Sequence, residues 1–174
     1  MGRHAGWIGI YSGLASGADV MLIPKVKIDL DEVCELLKRR HARGKGFSIV
    51  VVAEGAEFKA GQVVTQEEKL DAFGHVRLGG IGEILAKEIE KRTKLETRVT
   101  VLGHIQRGGT PTVFDRVLGT RFGFKAMELV MAKKFGYMVS LQGNRIESVP
   151  IEKAAGELKT VDMELYDIAK IFFG

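Results

Sequence analysis

The residues of this chain best suited to chemistry stand close together: His104, Gln106 and Arg107, followed at once by Gly108 and Gly109. A guanidinium fork matches phosphate or carboxylate in a bidentate way, and an imidazole nearby adds a directional donor. Paired glycines let the backbone approach a ligand or turn sharply into the next element. The chemistry these types suggest is capture of an anion. Glu54, which closes the β-branched run FSIVVVAEG, is an acceptor and suits hydroxyl groups better than phosphate. A cationic pair with a carboxylate reads as a sugar-phosphate site. A structural reading stands beside it: such a histidine can bond backbone, Arg107 can pair with a local acid such as Asp115, and Glu54 can be a solvated charge.

Position depends on the elements around these residues. In residues 3–16, Trp7, Ile8, Tyr11 and Leu14 recur at helical spacing, and the run stops at Ser16-Gly17. Residues 19–24 read as a short buried strand. The next run opens on a capping aspartate, Asp29, carries Leu30, Val33, Leu36 and Leu37 on one face, and ends in basic residues near Gly44 that suit the helix dipole. Residues 47–55 read as a strand buried on both faces in a parallel sheet, and the polar residues 56–75 suggest no element. The spacing predicts a helix over 79–92, on Ile81, Ile84, Leu85 and Ile89, then a strand over 97–102. A long helix is expected over 113–134, through Val117, Leu118, Phe122, Ala126, Leu129 and Val130. Short strands over 137–141 and 145–149 flank Gln142-Gly143-Asn144, with helical turns near 151–156 and 163–171. Strands alternating with helices place the chain in the α/β class, with a mainly parallel sheet in a single domain spanning 1–174. In such sheets ligands sit beyond the carboxyl ends of strands, where Glu54 and the His104 group fall.

Bulk properties narrow the classes. The chain has 26 Lys and Arg against 22 Asp and Glu, a net charge of +4. The charges are interspersed, which argues against nucleic acid as the main partner and leaves room for a local phosphate site. Cys34 is the one cysteine among the 174 residues, so an internal disulfide and a cysteine metal cluster are excluded, and a reducing cytoplasm fits best. No apolar run approaches the roughly 20 residues a bilayer span needs, and the start lacks a signal-peptide layout; no membrane contact is expected. The Gly-Gly-Ile-Gly run at 79–82 opens a helix and could hold phosphate, but helix packing is the commoner use of such pairs.

The stretch RVTVLGHIQRGGTPTVFDR resembles the signature of the phosphofructokinase family: a basic residue, a spacer, Gly-His-x-Gln-Arg-Gly-Gly, a second spacer, then Asp-Arg. Every fixed position is present, as Arg98, Gly103, His104, Gln106, Arg107, Gly108, Gly109, Asp115 and Arg116. The opening MGRHAGW, the runs SGADVMLIP and GKGFSIVVVAEG, and the tail VSLQGNRIESVPIEKA resemble family segments in the same order. The resemblance implies a three-layer αβα, Rossmann-like domain that binds fructose 6-phosphate. By the same resemblance Met1, Gly2 and Arg3 contact the sugar and the transferred phosphoryl group, with Arg3 stabilising transition-state charge. Glu54 would bind sugar hydroxyls, His104 and Arg107 the 6-phosphate, and Arg98 a neighbouring subunit's sugar, so a working site implies a homo-oligomer, dimer or tetramer. Asp19, Arg43 and Lys45 match an effector site between subunits, with solvated surface charge as the equal alternative.

Family members are longer, and their Gly-Gly-Asp loops and Thr-Ile-Asp-x-Asp segment are absent here, so Met1 is expected to be an internal methionine of a longer enzyme. Magnesium and ATP, or pyrophosphate as donor, would be held mainly by that other half; no metal ligands are expected in these residues. Residues 56–80 resemble an insertion shared by ATP- and pyrophosphate-dependent members, and Lys25 stands where relatives carry Glu, with no role evident. The implied function is that of the C-terminal, sugar-phosphate-binding half of a 6-phosphofructokinase, a glycolytic phosphotransferase. The alternative is a stand-alone, non-catalytic module that binds a sugar phosphate or effector; a phosphatase running the reverse reaction is a weaker third.

Overall fold

A computed structural model of the chain describes residues 4–62 and 80–174. In chain order it contains α1 (Trp7–Ser16), β1 (Val20–Leu22), α2 (Leu30–Ala42), β2 (Val50–Val52) and α3 (Ile81–Thr93). A 3-10 turn over Gly103–Arg107 follows, then α4 (Val113–Met131), β3 (Tyr137–Gln142), β4 (Arg145–Pro150), α5 (Ile151–Ala155) and α6 (Met163–Lys170). Met1, Gly2, Arg3 and most of the 56–80 insertion lie outside the described residues. The chain divides into two compact units, residues 1–101 with 159–174, and residues 102–158.

In the first unit β1 and β2 pair in parallel, Val20 opposite Val50 and Leu22 opposite Val52. Two clusters make its core: one of α2, α3 and β1 around Leu30, Val33, Leu37 and Leu85, the other of α1, α6 and β1 around Ile10, Met21, Ile23 and Val161. Taking each such side chain out of water contributes roughly 2 kcal/mol. All four apolar positions expected of α2 are buried, as is Cys34, whose thiol pKa is pushed up by that burial.

The expected face of α1 is corrected. Ile8 and Tyr11 are exposed, and the buried residues are Gly9, Ile10 and Gly13. This helix approaches the strands through its glycines: a Cβ on Gly9 would touch Ala53, and one on Gly13 would lie inside the Met21 thioether. Large apolar residues mark a helix face only where the helix does not need to come that close. The residues returning at 159–174 close this unit, since the Trp7 indole Nε1–H donates to the Lys159 carbonyl at 2.7 Å and the Val161 N–H to the Ala5 carbonyl at 2.8 Å. Lys25 Nζ, at 3.4 Å from the Val161 carbonyl, serves the same closure.

Two strand expectations are also corrected. β2 is half-buried, not enclosed on both faces, with Phe47 and Ile49 exposed before it. Residues 97–102 form no ladder. These two departures are linked, because β1 is the one strand paired with β2 among the described residues, which leaves a sheet edge that no alternation pattern can bury.

In the second unit β3 and β4 form an antiparallel hairpin, Gln142 opposite Arg145, and α4 lies along it with Leu118, Phe122 and Leu129 partly or fully buried. Arg121 fastens the two by donating to the Asn144 carbonyl at 2.7 Å.

Asp29 is the main electrostatic knot of the first unit. Its side chain accepts from the N–H groups of Asp31 and Glu32, from Lys59 Nζ at 2.6 Å and from Gln62 Nε2 at 3.2 Å. Those bonds, Lys59 first, hold its carboxyl far below the usual carboxylate range. A pKa lowered by folding contributes stability that is complete above the unfolded value near 4 and is lost as pH falls below it. The thermal midpoint is therefore expected to fall as pH drops from about 5 to about 2, and to fall less steeply in Asp29→Asn. Parallel pH curves for the two proteins would remove Asp29 from the acid sensitivity.

Candidate functional site

The segment carrying His104 and Arg107 is a 3-10 turn, not a strand mouth. Gly103 adopts φ 52°, outside the extended region, so the chain turns there. The turn is closed by Ile105 N–H to the Leu102 carbonyl at 3.0 Å and Gly108 N–H to the Ile105 carbonyl at 2.9 Å. A 3-10 helix repeats every three residues, so side chains three apart eclipse. His104 and Arg107 therefore share one side of the turn, and both are exposed.

Beyond the turn Gly109 takes φ 95°, a conformation that suits glycine, and the chain reaches Thr112, the N-cap of α4. Thr112 Oγ1 accepts from the Asp115 N–H, while Asp115 Oδ2 accepts from the Thr112 N–H at 2.8 Å and its hydroxyl at 2.7 Å. These bonds hold the Asp115 carboxyl below its ordinary pKa. Arg116 Nε donates to the Pro111 carbonyl at 3.3 Å. Thr112 was missed as a candidate, although the Thr-x-x-Asp spacing before an apolar run is legible in the sequence.

The other candidates lie in the first unit. Glu54 stands exposed in the turn after β2, as its place in the sequence suggested. Arg98 is 87% exposed and pairs with Glu96 at 2.8 Å. Asp19 is mostly enclosed: Oδ1 receives Arg40 Nη2 at 2.7 Å and Oδ2 accepts the Ile49 N–H at 2.7 Å. Arg40 also donates from Nε to Ser48 Oγ at 3.0 Å, so this pair joins the end of α2 to the entries of both strands. Arg43 caps α2 and reaches the Gly174 carbonyl at 3.4 Å, and Lys45 is exposed just after it. Gly80 caps α3 at φ 107°, and a Cβ on Gly82 would press on Val99 at 3.2 Å. Gly82 is thus the glycine of this run used for packing.

Among the described residues no group of three or more His, Cys, Asp or Glu side chains converges as metal ligands. A groove of about 470 Å³ runs along α4, lined by Thr120, Arg121, Phe124, Lys125, Glu128 and Ile146. Its cations are already engaged, Arg121 with Asn144 and Lys125 with Glu128.

Comparison with known proteins decides the lineage. The phosphofructokinase family model matches residues 1–130. The chain belongs to the phosphofructokinase family. It is 55% identical over its whole length to a Streptomyces coelicolor protein named pyrophosphate–fructose 6-phosphate 1-phosphotransferase, and 53% identical to a Mycobacterium leprae ATP-dependent 6-phosphofructokinase. It spans about half the length of these relatives, 51% of each. The solved phosphofructokinase of Saccharomyces cerevisiae matches with TM-score 0.72 and 28% identity, over 99% of this chain and 22% of that one. The α/β class read from the sequence is that of the family.

In this chain the Asp19–Arg40 pair is a structural fastening. Asp19→Asn is expected to destabilise the first unit by about 3 kcal/mol, because it leaves a largely enclosed guanidinium without its counter-ion. Urea denaturation measures this; a change under about 0.5 kcal/mol, the range of an ordinary surface substitution, would return Asp19 to the effector reading.

Proposed function

We propose that this chain carries the acceptor-sugar site of a 6-phosphofructokinase, which moves a phosphoryl group to the 1-hydroxyl of fructose 6-phosphate in glycolysis. The observation that carries the reading is the 3-10 turn on which His104 and Arg107 stand one repeat apart, inside a signature whose fixed positions are all present. A planar guanidinium and an imidazole on one face can grip the three free oxygens of a phosphate monoester from two directions. Glu54 accepts from sugar hydroxyls, and Arg98 reaches the sugar of a neighbouring subunit in a homo-oligomer. Met1, Gly2 and Arg3 contact the sugar and the phosphoryl group, Arg3 neutralising charge as it transfers. Arg43 and Lys45 form the cationic part of an effector site, to which Asp19 contributes if its bond to Arg40 opens.

The 6-phosphate grip has a mechanistic purpose. Phosphoryl transfer depends chiefly on positioning and charge neutralisation, and a sugar held at its far phosphate presents the 1-hydroxyl in a fixed place. Magnesium and ATP, or pyrophosphate in place of ATP, supply and activate the group transferred, in the cytoplasm. The two donors are both represented among relatives of nearly equal identity.

Equilibrium dialysis of the 174-residue chain against labelled fructose 6-phosphate tests the reading. Retention is expected, competed by inorganic phosphate and not by fructose. The same chain with magnesium and either donor is expected to yield no fructose 1,6-bisphosphate, because acceptor binding without a general base supplies only part of the barrier reduction. No retention, or equal competition by fructose, would overturn the assignment; product formation would overturn the division of labour.

A further inference from the structure

The pair that grips phosphate is followed by two glycines, and Gly109 occupies the left-handed region. Such a segment gives the turn no stiffness of its own. Stiffness returns within three residues: Thr112 and Asp115 close a reciprocal capping box, and Arg116 reaches back to the Pro111 carbonyl. Proline at 111 has a fixed φ, so a bond to its carbonyl fixes the chain direction there. α4, which carries these anchors, is fastened to the hairpin through Arg121. The loop between Arg107 and α4 is thus permissive at one end and clamped at the other.

We infer that Thr112, Asp115 and Arg116 are positioning residues for the phosphate grip: they set where the 3-10 turn ends and so how His104 and Arg107 are presented. This rests on the proposed sugar-phosphate site and adds a role for residues that touch no ligand. The bonding of Asp115 supports it: its Oδ2 accepts both donors of Thr112, the backbone N–H and the hydroxyl, so the carboxylate is committed to the cap that starts α4.

The test is a double-mutant cycle read by calorimetric titration of fructose 6-phosphate into the full 174-residue chain. Thr112→Val keeps the shape and removes the hydroxyl, and is expected to weaken binding by about five-fold, the equivalent of one lost hydrogen bond. Thr112→Ser keeps the hydroxyl and is expected to restore affinity. Arg116→Lys keeps the charge and loses the guanidinium fork, so a similar weakening there separates positioning from simple attraction, and it serves if Thr112→Val does not fold. Combined with Arg107→Ala, either change is expected to cause no further loss, since the group it positions is gone. Additive losses, or full affinity in Thr112→Val and Arg116→Lys, would overturn the positioning role while leaving the sugar-phosphate site standing. An unaltered chain that takes up no fructose 6-phosphate would overturn both.

Discussion

A three-residue helical period is the constraint on which the proposed phosphate site depends. In an extended strand, residues three apart point to opposite faces, and His104 and Arg107 would diverge. In a 3-10 turn they eclipse. The turn exists because Gly103 leaves the extended region and because two backbone bonds, from Ile105 to Leu102 and from Gly108 to Ile105, close it. Downstream, α4 starts at a closed capping box and is fastened to the hairpin through Arg121.

How much could be read from the sequence differed by element, for physical reasons. α2 was legible throughout: a capping aspartate, a stripe of Leu30, Val33, Leu36 and Leu37, and basic residues at its end all state the same structure. α1 was legible as a helix but not in its orientation, because its buried side is glycine, which no hydrophobic pattern registers. Residues 97–102 alternate as a strand does, yet alternation reports only which side chains could share a face; a ladder needs a neighbouring backbone. For the site, residue types and spacing marked His104, Arg107 and Glu54 at once. The anchors were less visible: Thr112 lay in a recognisable cap pattern, whereas nothing local announced that Arg40 would join Asp19 across 21 positions of sequence.

The first unit shows how charges become structural. Asp19 with Arg40 and Ser48, and Asp29 with Lys59 and Gln62, each tie a helix end to a strand entry or a loop. Both carboxylates accept backbone N–H groups as well as cations, and for the enclosed Asp19–Arg40 pair this is the condition under which an ion pair stabilises instead of merely breaking even. Relatives named for different phosphoryl donors stand at similar overall distance from this chain, at 55% and 53% identity.

The central claim is that His104 and Arg107 together hold the 6-phosphate. The most direct measurement is the ¹H–¹⁵N spectrum of the His104 imidazole, assigned by comparison with His104→Gln, as fructose 6-phosphate is added to the unaltered chain and to Arg107→Ala. The account requires a saturable shift of the His104 ring signals in the unaltered chain and its loss in Arg107→Ala. Saturable binding that moves other resonances and leaves His104 unchanged would contradict it.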